Sequence, residues 1–219
     1  MPKRVDHEER RRRIAEALWR IACARGLDRA SLRDVAAEAG ISLGQLQHYF
    51  SSKEEMLVFA LRHISDLAAR RVSKRIGALP GSPGPREVLR ESLIEMLPMD
   101  ADSRAGNLVQ VAYFVRALHD ERLRDNAQEG IPALRDFFAG QVRSGVERGE
   151  IAADRDPETE AMLLIALVDG LTAYTLLEVW SPEGALRLLD AHLDRLFTGR
   201  PPAGSGVPGV PAAGAGEPG

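Results

Sequence analysis

The sequence predicts an all-α protein, and three observations support this fold class. Apolar residues recur at spacings of three and four over most of residues 7–197, whereas no segment alternates convincingly as a β-strand would. Three helix-capping patterns occur between residues 31 and 55. A glycine- and proline-rich segment, 77–85, then interrupts the helical pattern. We therefore expect a small N-terminal helical domain followed by a larger C-terminal helical domain.

The first helix is predicted at residues 7–25 and can end at Gly26. Its apolar stripe consists of Ile14, Leu18, Ile21 and Ala22. Four arginines, Arg10–Arg13, lie near its start, with Lys3 and Arg4 further out. A run of charges is commonly a solvated helix face, and it is equally suited to an anionic partner such as a phosphate backbone.

The next stretch predicts two short helices joined by a tight turn. Ser31 can cap the first of them together with Asp34, and Ser42 together with Gln45 can cap the second. Gly40 lies between them and readily adopts the left-handed backbone conformation of such a turn. The pattern is typical of a helix-turn-helix, whose second helix fits the DNA major groove. The alternative interpretation is an ordinary helical hairpin.

In the second short helix, Leu46, Tyr49 and Phe50 are expected to face inward, which leaves the other side chains to face DNA. Glutamine in such a helix can pair with adenine. Lys53 begins the following helix, where free backbone N–H groups also favour a phosphate. The residues predicted to contact DNA are Ser31, Arg33, Ser42, Leu43, Gly44, Gln45, Gln47, His48, Tyr49 and Lys53.

A long fourth helix is predicted from Lys53 to about Arg75, with Ser52 and Glu55 as a third capping pair. Its apolar positions continue without a break. Because it starts in the first domain and ends in the second, we expect it to be the lever that connects them.

Further helices are predicted at residues 86–97, 103–119, 122–149, 157–180 and 182–197. The segment Leu108–Leu118 is apolar nearly all round, so we expect it to be buried. The last two helices are expected to form the surface of a symmetric dimer, with Leu189 and Leu193 buried between two copies.

The predicted domains are a helix-turn-helix DNA-binding domain at residues 1–52 and a helical regulatory and dimerisation domain at residues 53–198. The tail, 199–219, has seven glycines and five prolines and is expected to be disordered. Charge follows the same division. Residues 1–76 carry 16 basic and 10 acidic side chains, whereas the remainder carries 13 and 22. A basic head on an acidic body is what a DNA-binding protein would present.

No catalytic residue, metal site or cofactor is predicted. The five histidines are far apart in the sequence, and no glycine-rich phosphate loop follows a predicted strand. The single cysteine, Cys23, cannot form an internal disulfide, and no signal peptide or membrane-spanning run is evident, so we expect a cytoplasmic protein. A helical ligand-binding protein or enzyme with an incidental helix-turn-helix is the alternative.

The helix-turn-helix region resembles the signature of the tetracycline-repressor (TetR) family, and with the first helix the resemblance covers about the first 60 residues. The matching residues are Ser31-Leu32, Val35-Ala36, Ala39-Gly40-Ile41-Ser42, Gly44, His48-Tyr49-Phe50, Lys53 and Met56-Leu57. Gln45-Leu46-Gln47 departs from the Thr-Leu-Tyr that members often carry, and the Gln-His-Tyr-Phe ending is similar to the choline–betaine repressor branch. The resemblance implies a homodimeric regulator, most simply a repressor, that binds a palindromic double-stranded operator and leaves it when a small-molecule effector binds.

The effector is expected inside the second domain, near a carboxylate that follows an apolar block. This residue, Asp169, is costly to bury without a partner, and either a polar or cationic ligand or Arg116 could supply one. A neighbouring backbone N–H is a third candidate. The predicted ligand-binding residues are Phe59, His63, Leu67, Tyr113, Phe114, Asp169 and Tyr174. The first three are expected to face the helices at 103–119 and 157–180.

Overall fold

The computed structural model describes residues 2–26 and 30–198, with side chains from residue 7 onward. Within these ranges the chain forms nine α-helices and no β-strand, which confirms the predicted fold class. The helices are α1 Pro2–Arg25, α2 Leu32–Glu38, α3 Leu43–Tyr49, α4 Lys53–Gly77, α5 Pro85–Glu95, α6 Ala101–Ala117, α7 Glu121–Glu147, α8 Pro157–Leu176 and α9 Pro182–Leu196. The predicted tail, 199–219, lies outside the described residues.

The turn between α2 and α3 has the predicted geometry. The Ser31 hydroxyl accepts a hydrogen bond from the Asp34 N–H at 3.2 Å, and the Asp34 carboxylate accepts one from the Ser31 N–H. Ser42 and Gln45 form the same reciprocal pair at the start of α3. Gly40 has a φ of 68°, in the left-handed region that glycine adopts without strain. These local bonds set the angle at which α3 leaves α2.

Two helix starts differ from the sequence prediction. Helix α1 begins at Pro2 rather than at residue 7, because its first turns contain no residue after Pro2 that breaks a helix. Helix α4 is capped by Ser52 as predicted, yet the Glu55 carboxylate accepts its hydrogen bond from the Ser51 N–H at 2.8 Å. The returning bond therefore lies one residue earlier than in a standard capping box.

The hydrophobic core has two parts. The first combines the inward faces of α1–α4 with Val109, Tyr113 and Ala117 of α6 and Leu123 of α7. The second lies among α5, α7, α8 and α9. Because α6 packs on α1, the helix-turn-helix shares its core with the body, by which we mean helices α5–α9. Helix α4 is therefore not the only connection between the two parts.

The burial expected for the centre of α6 is wrong. Val109, Tyr113 and Ala117 are buried, but Leu108, Val115 and Leu118 are 48%, 55% and 69% exposed. Only the parts of α6 that pack on α1, α7 and α8 are covered, so an apolar stripe of α6 lies at the surface of the chain. A helix that is apolar all round need not be covered all round within one chain.

The prediction that Leu189 and Leu193 lie between two copies is also wrong. Both side chains are fully buried inside this chain, where α9 packs on α5 and α8. The outward face of α8 is apolar instead, since Met162, Leu163 and Tyr174 are exposed there, and so is Leu177, which directly follows the helix.

Helix α8 has 20 residues with a hydropathy of 1.3, so its length and composition alone would allow it to cross a membrane. Its inward side chains belong to the second core, as expected of the central helix of a helical domain. Helix α7 runs unbroken through Pro132, and Pro157 and Pro182 occupy the first positions of α8 and α9.

Candidate nucleic-acid interface

Helix α3 presents a polar face to solvent. Gly44, Gln45, Gln47 and His48 are exposed, whereas Leu46 and Phe50 are buried in the first core. This orientation confirms the inward positions predicted for Leu46 and Phe50, whereas Tyr49, also predicted to face inward, is half-buried. The outward side chains carry amide and imidazole groups that can donate or accept hydrogen bonds at base edges.

The end of α3 is fixed to its neighbours through Arg11. The Arg11 guanidinium carbon lies 4.7 Å from the centroid of the Phe50 ring and 4.5 Å from that of Phe59. Its Nη2 donates to a Glu55 carboxylate oxygen at 3.1 Å. One cation thus contacts α3 and α4 from α1, and such a contact is stronger where the rings exclude water. The outward face of α3 is therefore held on a rigid support.

The four arginines Arg10–Arg13 point in different directions because they are consecutive on one helix. Successive side chains on a helix are about 100° apart, so four in a row cannot share one face. Arg11 points inward to Glu55, Arg12 pairs with Glu9 at 3.8 Å, and Arg13 is exposed. Arg10 lines a cleft of about 520 Å³ together with Ile41, Ser42, Gly44, Gln45, His48 and Tyr49. This cleft, which we call the α1–α3 cleft, places one arginine beside the polar face of α3.

The other predicted DNA contacts surround α3. Ser31 and Arg33 are exposed at the start of α2, Leu43 is half-buried at the start of α3, and Lys53 is half-buried in the first turn of α4. The structure therefore brings the predicted residues to the ends of three adjacent helices. Their contact with DNA stays a prediction.

The sequence analysis missed one residue at this surface, His7 of α1. Its ring centroid lies 4.8 Å from that of Tyr49 and 6.5 Å from that of His48. The signal was its position three residues before Arg10, which puts both side chains on one helix face. Only the packing of α1 on α3 shows that this face adjoins the recognition helix.

The expectation that Phe59 and His63 face α6 and α8 is wrong. Phe59 packs against Phe50, with ring centroids 5.5 Å apart, and His63 Nε2 lies 3.6 Å from a Glu16 carboxylate oxygen on α1. Both therefore belong to the contact between α4 and α1. Leu67 is half-buried further along α4.

Tyr113 is a core residue with a satisfied hydroxyl. The hydroxyl donates to the Leu123 carbonyl at 2.7 Å and accepts from the Asn126 amide at 3.0 Å. The Asn126 side-chain oxygen in turn accepts from Arg62 Nε of α4 at 3.1 Å. Phe114, whose ring centroid is 5.9 Å from that of Tyr113, is 40% exposed. These hydrogen bonds link α4, α7 and α6.

Asp169 and Tyr174 lie on the outward face of α8. Partial desolvation raises the pKa of the Asp169 carboxyl above its ordinary value. Within residues 7–26 and 30–198, no basic side chain lies within 4 Å of this carboxylate. The predicted partner Arg116 instead forms an ion pair with Glu54 at 3.9 Å. In the same part of the chain, no group of three or more His, Cys, Asp or Glu side chains could hold a metal ion.

Two family profiles match this chain. Residues 14–61 match "Bacterial regulatory proteins, tetR family", which covers the second half of α1, all of α2 and α3, and the start of α4. Residues 85–198 match "BetI-type transcriptional repressor, C-terminal", which covers α5–α9.

Curated relatives extend along most of the chain. The HTH-type transcriptional regulator PksA of Bacillus subtilis is 36% identical over 179 residues, which is 81% of this chain and 84% of PksA. The HTH-type transcriptional regulator BetI of Burkholderia mallei is 28% identical over 203 residues, which is 91% of this chain and 100% of BetI.

Solved structures with this architecture include a transcriptional regulator from Rhodococcus sp. Rha1. It has a TM-score of 0.73 and 30% identity, and the match covers 86% of this chain and 96% of that one. A Saccharomonospora viridis protein crystallised in complex with choline has a TM-score of 0.72 and 26% identity, with 87% and 96% covered.

Proposed function

Because this chain belongs to the tetR family of bacterial regulatory proteins and is a DNA-binding transcriptional regulator, we propose that it is a homodimeric repressor released from its operator by a small cationic effector. The observation that carries the DNA-binding part is the exposed polar face of α3, fixed from behind by Arg11. The alternative of an enzyme has no comparable support, since the relatives are named as transcriptional regulators. As a regulator of bacterial genes, the protein would act in the cytoplasm.

The proposed DNA-binding site comprises three groups of side chains with different roles. Gln45, Gln47 and His48 read base edges from the exposed face of α3. Ser31, Arg33 and Lys53 contact phosphates on either side, and the Tyr49 hydroxyl adds a further phosphate contact. Ser42, Leu43 and Gly44 form the end of α3 that enters the groove. The proposed domain boundary falls at residues 52 and 53, although the two domains share the first core.

The proposed dimer uses the outward faces of α8 and α9. Met162, Leu163 and Tyr174 of α8, Leu177 directly after it and Leu188 of α9 are between 38% and 72% exposed in the single chain. Exposed apolar side chains in one patch favour association, and a two-fold axis pairs each patch with itself. Two copies of α8 and α9 would then form a four-helix bundle. Such a dimer presents two recognition helices, as a palindromic operator requires.

The proposed effector site centres on Asp169. Its carboxylate is partly desolvated and has no ion-pair partner among the described side chains, so a ligand with a positive charge would offset the cost of keeping it ionised. The choline found in the similar Saccharomonospora viridis structure has the quaternary ammonium group that such a site would prefer. Phe114 and Tyr174 are the exposed aromatic side chains proposed to accompany it, since Tyr113 is buried and its hydroxyl is already hydrogen-bonded. Leu67, Phe59 and His63 of α4 are proposed to transmit the change towards α1.

The proposal is tested by measuring operator affinity with and without choline. The duplex is first selected from a random pool with the purified protein, and the affinity for it is then measured by fluorescence anisotropy. We expect choline to weaken binding to the selected duplex in the parent protein and to have no effect in Asp169→Asn. Arg116→Gln serves as the control variant that leaves Asp169 in place. Release by choline that is equal in the parent and in Asp169→Asn would remove Asp169 from the site.

A further inference from the structure

Asp169 is the only charged residue between Ala161 and Leu177, and it lies in the middle of the outward face of α8. Exposed residues recur along this face at spacings of three and four, as in a helix that packs against another helix. They are Thr159, Met162, Leu163, Ala166, Asp169, Ala173 and Tyr174, with Leu177 directly after the helix. Met162 is seven residues before Asp169 and Leu177 is eight residues after it. The carboxylate therefore lies at the centre of the surface proposed to form the dimer.

The residues beside Asp169 on this face are small, namely Ala166, Gly170 and Ala173. A Cβ atom at Gly170 would have no other atom within 4 Å, so nothing inside the described chain requires a glycine there. Glycine also weakens a helix relative to alanine. Small side chains allow two packed helices to approach closely, because the distance between helix axes depends on the side chains at the contact. Two α8 helices should therefore cross at the level of Gly170, with larger side chains on either side.

A two-fold axis brings the residues at such a crossing next to their own copies. In a symmetric dimer each patch pairs with itself, so the point where the two α8 helices cross lies on the axis. Asp169 of one subunit then lies beside the partner's Asp169. Two carboxylates at an apolar contact repel each other, and no basic side chain of the described chain lies within 4 Å of either one. A cation between them would offset both the repulsion and the cost of desolvation.

The crossing is open on the side of α6. Thr172 lies one turn after Asp169, and its hydroxyl donates to the Met96 carbonyl, between α5 and α6, at 3.0 Å. Arg104 of α6 donates to the Leu176 carbonyl at the end of α8 at 3.1 Å. Asp169 therefore lies on the edge of the outward face that is nearest α6. A ligand beside its carboxylate would lie next to the exposed apolar stripe of α6.

We infer that both subunits form the effector site, with one cation held between Asp169 of one chain and the partner's Asp169. The inference rests on the proposed function, because it requires both the dimer and a cationic effector. Since the site spans the interface, the cation binds only when the two α8 helices cross at a suitable distance and angle. Effector binding thereby selects one arrangement of the subunits, and with it one spacing of the two α3 helices. The alternative partner for the carboxylate is an arginine of the other subunit, and Arg187, exposed on α9, is the candidate.

The first measurement counts the choline molecules bound per dimer of the parent protein, by titration calorimetry and native mass spectrometry, and needs no substitution. The second uses hybrid dimers that combine one parent chain with one Asp169→Asn chain, isolated through two different affinity tags. A hybrid with two separate sites would keep one of them unchanged, whereas a hybrid with one shared site would keep none. Arg187→Gln tests the alternative ion pair, and sedimentation and melting curves show that each sample is a folded dimer.

We expect one choline per dimer in the parent protein and in Arg187→Gln. The hybrid dimer should bind choline about 10- to 100-fold more weakly than the parent, because one of the two carboxylates is missing. Two cholines per dimer, or a hybrid that binds one choline with the parent affinity, would overturn the shared site and leave choline as the effector. A monomeric Arg187→Gln would assign Asp169 to an ion pair between subunits and would also overturn it. A parent protein that is monomeric or binds no choline would contradict the proposed function itself, and the shared site with it.

Discussion

Gln45 has two roles that its side chain can perform with different atoms. Its Oε1 accepts from the Ser42 N–H at 3.0 Å and so caps α3, which leaves the amide N–H groups for base edges. Gln45→Ala should lower binding to the best site by about 1–3 kcal/mol and relax the preference at one base pair. The measurement is affinity for a set of duplexes that differ from the selected one at single positions.

The matched variant for this residue is Gln45→Glu, since a carboxylate can still accept from Ser42 but cannot donate to a base. Preference at the same base pair should therefore be lost although the cap is kept. Gln128→Ala, on the exposed face of α7, controls for the loss of an amide elsewhere. A drop in affinity that is equal for every duplex would show that Gln45 does not read bases.

Gly145 is a position where one methyl group decides stability. A Cβ atom there would lie 2.7 Å from Ile151 Cδ1, and Ile151 is almost fully buried. We expect Gly145→Ala to destabilise the protein by about 1–3 kcal/mol through overpacking. The higher helix propensity of alanine offsets up to about 1 kcal/mol of this cost. Thermal or urea unfolding measures the difference.

Gly140→Ala, one and a half turns earlier on α7, is the control for Gly145→Ala. Nothing lies within 4 Å of a Cβ atom at Gly140, so the substitution should be neutral or stabilising. If both variants were stabilised alike, the close contact between Gly145 and Ile151 would not exist in solution.

Asp169 gives a prediction with a definite sign. Its pKa is raised in the folded protein, so the folded state holds the proton more tightly than the unfolded chain. This contribution stabilises the fold below the ordinary pKa of aspartate and is lost as the pH rises through the raised value. At neutral pH, Asp169→Asn should therefore melt at the same temperature as the parent or higher, and any difference should disappear in acid. A lower melting temperature at neutral pH would instead indicate a paired core carboxylate.

At the scale of helices, local sequence patterns predicted most of what the structure contains. The caps at Ser31, Ser42 and Ser52 depend on residues three or four apart, and the backbone freedom of Gly40 is a property of one residue. The side of α3 that faces the core could be predicted for the same reason. Which helix covers another is not local, so the exposed stripe of α6 could not be foreseen.

The two leucines of α9 illustrate the same limit. Periodicity predicted that Leu189 and Leu193 form a buried seam, and they do, but the cover is α5 and α8 of the same chain. A sequence pattern predicts that a helix face is buried, but it does not predict which helix or which chain buries it. The contact of His7 with Tyr49 was missed for this reason as well, because it depends on how α1 crosses α3.

Because Leu189 is buried within one chain and Leu163 is exposed, a charge at these two positions should have different effects. Leu189→Asp places a charge in the core of one chain and should unfold it, at a cost of several kcal/mol. Leu163→Asp, on the exposed face of α8, should leave the fold intact and split the proposed dimer. Sedimentation and melting curves of both variants distinguish these outcomes.

Leu118→Asp, on the exposed stripe of α6, introduces the same charge away from α8 and α9 and should remain a dimer. A Leu163→Asp variant that sediments with the same mass as the parent dimer would move the interface elsewhere.

For the whole molecule, the shared core changes how the two domains are connected. Helix α4 continues from the DNA-binding domain into the body, where Arg71 and Arg75 pair with Glu95 of α5. Helix α5 is joined in turn to α9, since Arg90 Nε donates to Asp190 at 2.6 Å. Helix α6 is a second connection, because a Cβ atom at Gly106 would lie 3.1 Å from the Trp19 ring of α1. A displacement of α6 would therefore act on α1, and a displacement of α9 would act on α4 through α5.

The central claim is that two copies of this chain read a palindrome with their α3 helices. Its most direct test is selection of duplexes from a random pool, followed by footprinting and measurement of the mass of the complex. We predict one enriched sequence with two inverted half-sites whose centres lie about one helical turn, or a multiple of it, apart, bound by a dimer or a pair of dimers. The Gln45→Ala/Gln47→Ala variant should no longer enrich it. Enrichment of a single half-site by a monomer, or equal enrichment by this variant, would contradict the account.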